Sequence, residues 1–208
     1  DGKMDLVLGN IGENFYLRPS VSNPVKLWLN DFDQNGTKEQ FVTRVIGGRD
    51  MPVFLKRDIT DQFPGLKKEN LKHSDYADKT IQQLFSGEVI KRSEVKQFNY
   101  SSSVLAINDG KGGFRVEALP QMLQLSSVNA IALEDVNEDG RLDMIVGGNR
   151  FGFPPQFGRL DAGYGHVLLN EGKGNYKWIG GQESGVSLRG EIRGIEKIRG
   201  NGSQRYLL

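Results

Sequence analysis

The sequence contains no cysteine and only two histidines among its 208 residues. The absence of cysteine excludes disulfide bonds and thiolate metal ligands. No apolar run approaches the ~20 residues that a membrane-spanning helix requires. The 27 basic and 26 acidic side chains give a net charge of +1, which does not favour binding to nucleic acid or to a membrane surface.

Glycine, by contrast, is abundant, with 27 residues in the chain, nearly double the ordinary share of ~7 percent. The glycines lie at regular intervals between short apolar segments, and they are not collected in one linker. This distribution favours many short strands joined by tight turns. The sequence therefore predicts an all-β fold.

The segment 135–149, DVNEDGRLDMIVGGN, has the pattern of a calcium-binding loop. Oxygen-bearing side chains occupy alternate positions, a glycine follows where the chain must turn, and a further carboxylate comes three residues later. Arg141 lies at a position where a backbone carbonyl can be the ligand, so its positive side chain is tolerable. The predicted side-chain ligands are Asp135, Asn137, Asp139 and Asp143.

This loop does not fit an EF-hand, because an EF-hand requires a bidentate glutamate at loop position twelve and a helix on each side. The twelfth residue from Asp135 is Val146. The flanks 128–133 and 142–146 are rich in β-branched and aliphatic residues, which are typical of strands. The sequence therefore predicts a calcium loop at the turn of a β-hairpin.

The same pattern recurs elsewhere in the chain. Residues 1–10, DGKMDLVLGN, match the second half of the motif, and Asp1 and Asp5 fall at two ligand positions. Residues 195–208 resemble it without acidic ligands, which predicts a hairpin that has lost the ion. A complete second copy, at 29–42, places its predicted ligands at Asp31, Asp33, Asn35, Thr37 and Glu39, with Thr37 in the place of Arg141.

A second hairpin motif, distinct from the calcium-loop pattern, occurs twice in the chain. NDGKGGF at 108–114 and NEGKGNY at 170–176 share their asparagine, glycines and final aromatic residue, and each predicts a tight β-hairpin. One repeat then consists of four antiparallel strands, which is typical of a β-propeller blade. The predicted organisation is a single partial propeller over 1–208: a partial blade at 1–20, blades at 25–57, 94–119 and 126–180, a helical insertion at 58–87 and a partial blade at 190–208.

These motifs resemble the FG-GAP and VCBS repeats of the integrin α-subunit head and of bacterial secreted or surface proteins. The resemblance rests on DVNEDGRLDMIVGGN, DFDQNGTKEQFV and DGKMDLVLGN. Gly147-Gly148-Asn149 replaces the Gly-Ala-Pro of the first family, so the bacterial VCBS branch is the better match. More narrowly, the chain is similar to the C-terminal part of propellers in large bacterial proteins that carry an ASPIC/UnbV segment.

The resemblance implies a calcium-stabilised scaffold that binds a protein or glycan outside the cytoplasm, on the cell surface, in the periplasm or after secretion. An alternative is a piece of a secreted enzyme acting on glycans or lipids, with its catalytic residues elsewhere or on the propeller rim. The residues themselves indicate no catalytic group. A truncated ring would also leave open sheet edges, through which copies of the chain could associate.

The connection between the two hairpins of the predicted blade at 126–180 carries an aromatic cluster beside Pro154-Pro155. Such connections lie on one rim of a propeller, where partners commonly bind. Local packing of a long loop is the leading explanation of the cluster, and a ligand site is the alternative. The candidate ligand rim consists of Phe151, Phe153, Phe157 and Tyr164.

Overall fold

The computed structural model describes residues 2–199 and 204–207 as an arrangement of antiparallel sheets with short helices. Among the described residues, no helix has the length and apolar character that a membrane crossing requires. The strands are β1 (Leu6–Leu8), β2 (Val25–Asn30), β3 (Glu39–Ile46), β4 (Arg49–Pro52), β5 (Glu94–Phe98), β6 (Val104–Asn108), β7 (Phe114–Ala118), β8 (Val128–Glu134), β9 (Asp143–Gly148), β10 (His166–Gly172), β11 (Asn175–Ile179), β12 (Glu196–Arg199) and β13 (Gln204–Leu207). The α-helices are α1 (Lys56–Gln62), α2 (Pro64–Glu69), α3 (His73–Ala77), α4 (Ile81–Leu84), α5 (Gly87–Arg92) and α6 (Gly181–Ser184).

The chain forms two compact units, where the sequence predicts a single domain. The first unit combines residues 1–18 with residues 101–208, and the second consists of residues 19–100. The second unit is therefore an insertion between β1 and β6, which are neighbouring strands of one sheet. Local sequence patterns do not reveal this organisation, because it depends on a strand pairing across the whole insertion.

The first unit contains a four-stranded sheet at the place of the blade predicted at 126–180. Strands β8 to β11 form one antiparallel sheet in sequential order, which agrees with the predicted boundaries 126–180. A second sheet has the order β1-β6-β7, and β12 pairs with β13 in a hairpin. This last pairing confirms the predicted C-terminal hairpin, although its turn at 200–203 lies outside the described residues.

The prediction of one blade over 94–119 is wrong in its strand pairing. Strand β5 pairs with β2, Val25 lying opposite Phe98, whereas β6 pairs with β1 and β7. The prediction joined strands that follow each other in sequence, but pairing between distant strands decides the sheet. The two halves of 94–119 consequently belong to different units.

The core of the first unit forms from the alternating inward side chains of its sheets. Met144, Val146 and Leu168 are almost fully buried, and they pack with Leu105 of β6 and Leu123. Because successive residues of a strand point to opposite faces, the residues between these positions lie on the other face. The two larger sheets of this unit therefore share one apolar core.

The second unit packs its helices on a sheet of order β4-β3-β2-β5. Helices occupy 56–92, which agrees with the helical insertion predicted at 58–87. Four phenylalanines fill the core with ring centroids 4.6 to 6.2 Å apart, separations at which aromatic pairs attract each other beyond their buried area. These residues are Phe32, Phe41, Phe63 and Phe85.

Gly148 of β9 lies against the backbone of the preceding strand. A Cβ atom at this position would collide with the carbonyl oxygen of Ser127. Because backbone cannot rotate away as a side chain can, we expect Gly148→Ala to cost about 3 kcal/mol, the upper part of the usual range for overpacking. Urea denaturation of the first unit measures this loss.

Gly152 offers the matched control, since a Cβ atom there would have no heavy atom within 4 Å. Gly152→Ala should unfold at the urea concentration of the unmodified protein. If the two alanine variants were equally stable, the close backbone approach at Gly148 would not be a constraint.

Candidate metal centres and ligand pocket

The loop between β2 and β3 is closed by hydrogen bonds from its own backbone to its acidic side chains. The Asp31 carboxylate accepts the N–H groups of Asn35 and Gly36, both at 2.9 Å, and Asp33 Oδ1 accepts the Asn35 N–H at 3.2 Å. Asn35 Oδ1 accepts the Thr37 N–H at 2.7 Å, and Glu39 Oε2 accepts the Phe32 N–H at 2.8 Å. These bonds direct alternate side chains to the inside of the loop.

The loop between β8 and β9 makes the corresponding bonds at every position. Asp135 accepts the N–H groups of Asp139 and Gly140, at 3.0 and 2.7 Å, and Asn137 Oδ1 accepts that of Asp139 at 3.1 Å. Asp139 Oδ1 accepts the Arg141 N–H at 2.9 Å, and Asp143 Oδ2 accepts that of Val136 at 3.0 Å. Both loops therefore adopt the same conformation, and residues at matching positions of the motif make the same hydrogen bonds.

The glycines of the two loops are required by their backbone. Gly36 and Gly140 have φ values of +88° and +84°, and the residues two positions earlier, Gln34 and Glu138, have +62° and +60°. Glycine adopts positive φ at little cost. The shared conformation thus explains the glycine of the motif independently of any metal.

In the loop at 31–39, three carboxylates converge. Asp31, Asp33 and Glu39 each present an oxygen atom within 4.8 Å of the other two. Two oxygens bound to one Ca²⁺ at 2.3–2.6 Å lie at most about 5 Å apart, so this spacing fits a calcium ion. Glu39 Oε1 is buried and has no hydrogen-bond partner, as expected of an atom that would bind a cation.

The loop at 135–143 differs because Arg141 interacts with one of its own acidic residues. The guanidinium Nη2 is 2.5 Å from Asp139 Oδ2, and Asn137 Nδ2 donates to the same oxygen at 2.9 Å. The bond from Asn137 and the neighbouring Arg141 keep the pKa of Asp139 below its usual value. Thr37 occupies the place of Arg141 in the other loop, so no cation competes there.

Of the two loops, 135–143 has the sequence that matches the calcium-loop pattern more closely. Among the described residues, however, the converging carboxylates belong to 31–39. An arginine was expected to contribute only its backbone carbonyl at position 141, and the reach of its side chain was missed. Calcium binding itself remains a prediction for both loops.

Asp143 has a structural role as well as its place in the motif. It is fully buried. Its Oδ1 accepts the Asn170 N–H of β10 at 2.7 Å, and its Oδ2 accepts the Val136 N–H at 3.0 Å. In the other sheet of the unit, Asp5 Oδ1 accepts the Asn108 N–H of β6 at 2.8 Å. The predicted half-loop at 1–5 therefore keeps this structural contact, although Asp1 lies outside the described residues.

His166 is buried next to an aromatic partner. Its Nδ1 accepts the indole N–H of Trp178 at 3.1 Å, and burial lowers the pKa of the imidazole. Asp161, which is close in sequence, bonds instead to Arg159 Nε at 2.9 Å. The described contacts therefore do not join this histidine and carboxylate as an acid-base pair, and the enzyme alternative stays a prediction.

The predicted aromatic rim divides into two parts. Phe157 stacks on Tyr16 with ring centroids 4.2 Å apart, and Phe153 packs on Phe15 at 5.5 Å. These contacts anchor the loop to the N-terminal segment, which is distant in sequence, so the packing of these two rings is not confined to the loop itself. Phe151 and Tyr164, in contrast, are 37% and 43% exposed, and both line one pocket.

Asn149 holds the walls of this pocket together. Its Oδ1 accepts the Ser126 hydroxyl at 2.8 Å and the Gly163 N–H at 2.9 Å. Its Nδ2 donates to the carbonyls of Gly163 and Gly190, at 2.6 and 2.7 Å. The side chain is 2% exposed, and its φ of +77° belongs to a region that asparagine tolerates better than most residues.

Sequence analysis missed the two arginines of the pocket. The Arg159 guanidinium lies 4.9 Å from the ring centroid of Phe151, and that of Arg189 lies 5.7 Å from the ring of Tyr164. The Arg-Leu-Asp sequence at 159–161 was a signal for the first arginine. Arg189 is distant in sequence, and only the fold brings it to the aromatic loop.

Comparisons with models of protein families, with curated proteins and with solved structures found no match to this chain. The argument about its function consequently depends on the geometry of the loops and of the pocket.

Proposed function

We propose that this protein is a calcium-stabilised, propeller-type module of the FG-GAP and VCBS kind, which binds a glycan or protein ligand outside the cytoplasm. The main support is the convergence of Asp31, Asp33 and Glu39 together with the buried, unpartnered oxygen of Glu39. The equivalent loop at 135–143 supports the repeat on which the proposal depends. The extracytoplasmic location follows from the abundance of calcium there.

The ion is expected to adjust the stability of the fold without creating it. With the affinity of extracellular modules, Kd ~10⁻⁴ M, about 1 mM calcium adds about 1.4 kcal/mol per site. The hydrogen bonds within each loop do not require the ion. This contribution is small against a typical net stability of 5–15 kcal/mol.

Calcium should raise the melting temperature by several degrees, and EDTA should reverse the rise and leave a folded protein. Differential scanning calorimetry in 1 mM CaCl₂ and in EDTA measures this shift. Each unit carries one loop, so each unit should respond. A melting curve that is identical in both conditions would contradict the calcium site.

Glu39→Gln tests the site at 31–39. Glutamine can keep its carbonyl oxygen as the acceptor for the Phe32 N–H, and it replaces the unpartnered oxygen by an NH₂ group, which is a donor and cannot bind a cation. The calcium-induced shift of the second unit should disappear, and that of the first unit should remain. Glu69→Gln, at an exposed position of α2, is the control and should leave both shifts unchanged.

The exposed sheet face of the first unit supports the predicted self-association. Leu6 and Leu8 of β1 and Val116 of β7 are 43, 50 and 54% exposed. Strand β1 lies at the edge of its sheet, whereas its counterpart β9 is covered by β8. An open edge beside exposed apolar residues is a surface that favours pairing with another strand.

A further inference from the structure

The pocket behind the aromatic loop is small and has firmly connected walls. It lies between segments 149–151, 159–164 and 189–190 and has a volume of about 190 Å³. Besides Asn149, the Glu191 carboxylate fastens one wall by accepting the Phe151 N–H at 3.0 Å. Pockets for drug-sized ligands measure about 300–1,000 Å³, so this one suits a ligand of a single sugar ring.

The pocket has one cation that is available to an anionic ligand. Among the described residues, the Arg189 guanidinium has no ion pair, although its charge lies over the Tyr164 ring. A guanidinium held at an aromatic ring is positioned for two parallel hydrogen bonds to a carboxylate. Arg159 is less available, because it bonds to Asp161.

Asp161 restricts which anion can bind. Its Oδ2 accepts the hydrogen bond of Arg159, so its other oxygen can accept a ligand hydroxyl. The same negative charge repels a doubly charged phosphate more than a single carboxylate. A ligand that satisfies both Arg189 and Asp161 therefore carries one carboxylate and neighbouring hydroxyl groups.

We propose that this pocket binds a uronic acid residue, with its carboxylate on Arg189 and a ring hydroxyl on Asp161. The exposed parts of Phe151 and Tyr164 cover the apolar C–H groups of the sugar. The inference rests on the proposed binding function and names the chemistry of its ligand. Free uronate and the terminal residue of an acidic polysaccharide present the same groups.

Ligand titration monitored by protein NMR tests the assignment, with the full chain in calcium. Galacturonate should shift the amide signals of Phe151, Tyr164 and Gly190, and galactose and acetate should each bind at least tenfold more weakly, since each lacks one of the two groups. Binding should weaken with added salt, because the pocket is open to solvent. Oligogalacturonate in a parallel titration distinguishes a polymer end, which should bind more tightly, from the free sugar.

Arg189→Gln should weaken galacturonate binding by about 10- to 100-fold, the usual effect of losing a hydrogen bond to a charged group. Arg115→Gln is the matched control, because Arg115 is an exposed residue of β7 that pairs with Glu117 outside the pocket lining. Unchanged melting temperatures of both variants would show that each is folded.

Equal binding of galactose would overturn the role of the carboxylate, and equal binding of acetate would overturn the role of the sugar. Equal losses in Arg189→Gln and Arg115→Gln would mean a general charge effect and would also reject the pocket. A protein that shows the calcium shift but no uronate binding would lose this inference and retain the calcium-stabilised module. A protein that binds galacturonate but shows no calcium shift would lose the calcium-stabilised module and retain the uronate pocket.

Discussion

Replacement of Asn149 by alanine is expected to lower the free energy of unfolding of the first unit by about 4 kcal/mol or more. The substitution removes four hydrogen bonds, with Ser126, with both backbone groups of Gly163 and with Gly190. A buried group that loses its partner costs about 1–3 kcal/mol. The total approaches half of a typical folding free energy of 5–15 kcal/mol.

Urea denaturation followed by NMR signals of the first unit measures this loss, and two further variants separate its causes. Asn149→Gly retains a residue suited to the φ of +77°, so its recovery relative to alanine reports relief of backbone strain, reduced by the larger entropy of glycine in the unfolded chain. Asn175→Ala, at an exposed position of β11, should change stability by less than about 0.5 kcal/mol. A loss below about 1 kcal/mol in Asn149→Ala would show that the four bonds are replaced by others.

The second large effect is expected at Asp143, in the absence of calcium as well as in its presence. Alanine would leave the N–H groups of Val136 and Asn170 without their carboxylate acceptor. Two such losses amount to about 2–6 kcal/mol. The effect should persist in EDTA, because these bonds hold the loop and β10 together without a metal.

Asp139→Ala separates the two roles of the loop. Asp139 is predicted to bind calcium, but its carboxylate lies at the exposed side of the loop and bonds to Arg141. Its replacement should remove the calcium-dependent part of the stability and leave the stability in EDTA nearly unchanged. Calorimetry of both variants with and without calcium tests this difference, and equal behaviour of the variants in EDTA would contradict it.

Elements with a strong local pattern were predictable from the sequence. The hairpins at 29–42 and 128–148 follow from alternating oxygen side chains, a glycine at positive φ and β-branched flanks, and the structure confirms them. The hairpins at 108–114 and 170–176 follow equally from their glycines. In all of these, the interacting residues are close in sequence.

Features that depend on distant contacts were not predictable in the same way. The pairing of β1 with β6 has no local signal, because the short apolar strand β1 could pair with many others. Strand β5 is exposed at every residue, so no buried periodicity identified its partner. At the site, the approach of Arg189 to Tyr164 likewise arises only when 188–190 lies beside 163–164.

The insertion of 19–100 between two adjacent strands has a consequence for the order of folding. Pairing β1 with β6 directly would require closing a loop that contains the entire insertion, which costs about 1 kcal/mol more than closing a loop a quarter as long. Pairing of Val25 with Phe98 brings the ends of the insertion together first. Only the short connections 9–24 and 99–103 then separate the partner strands. Early folding of residues 19–100 therefore accelerates assembly of the sheet that they interrupt.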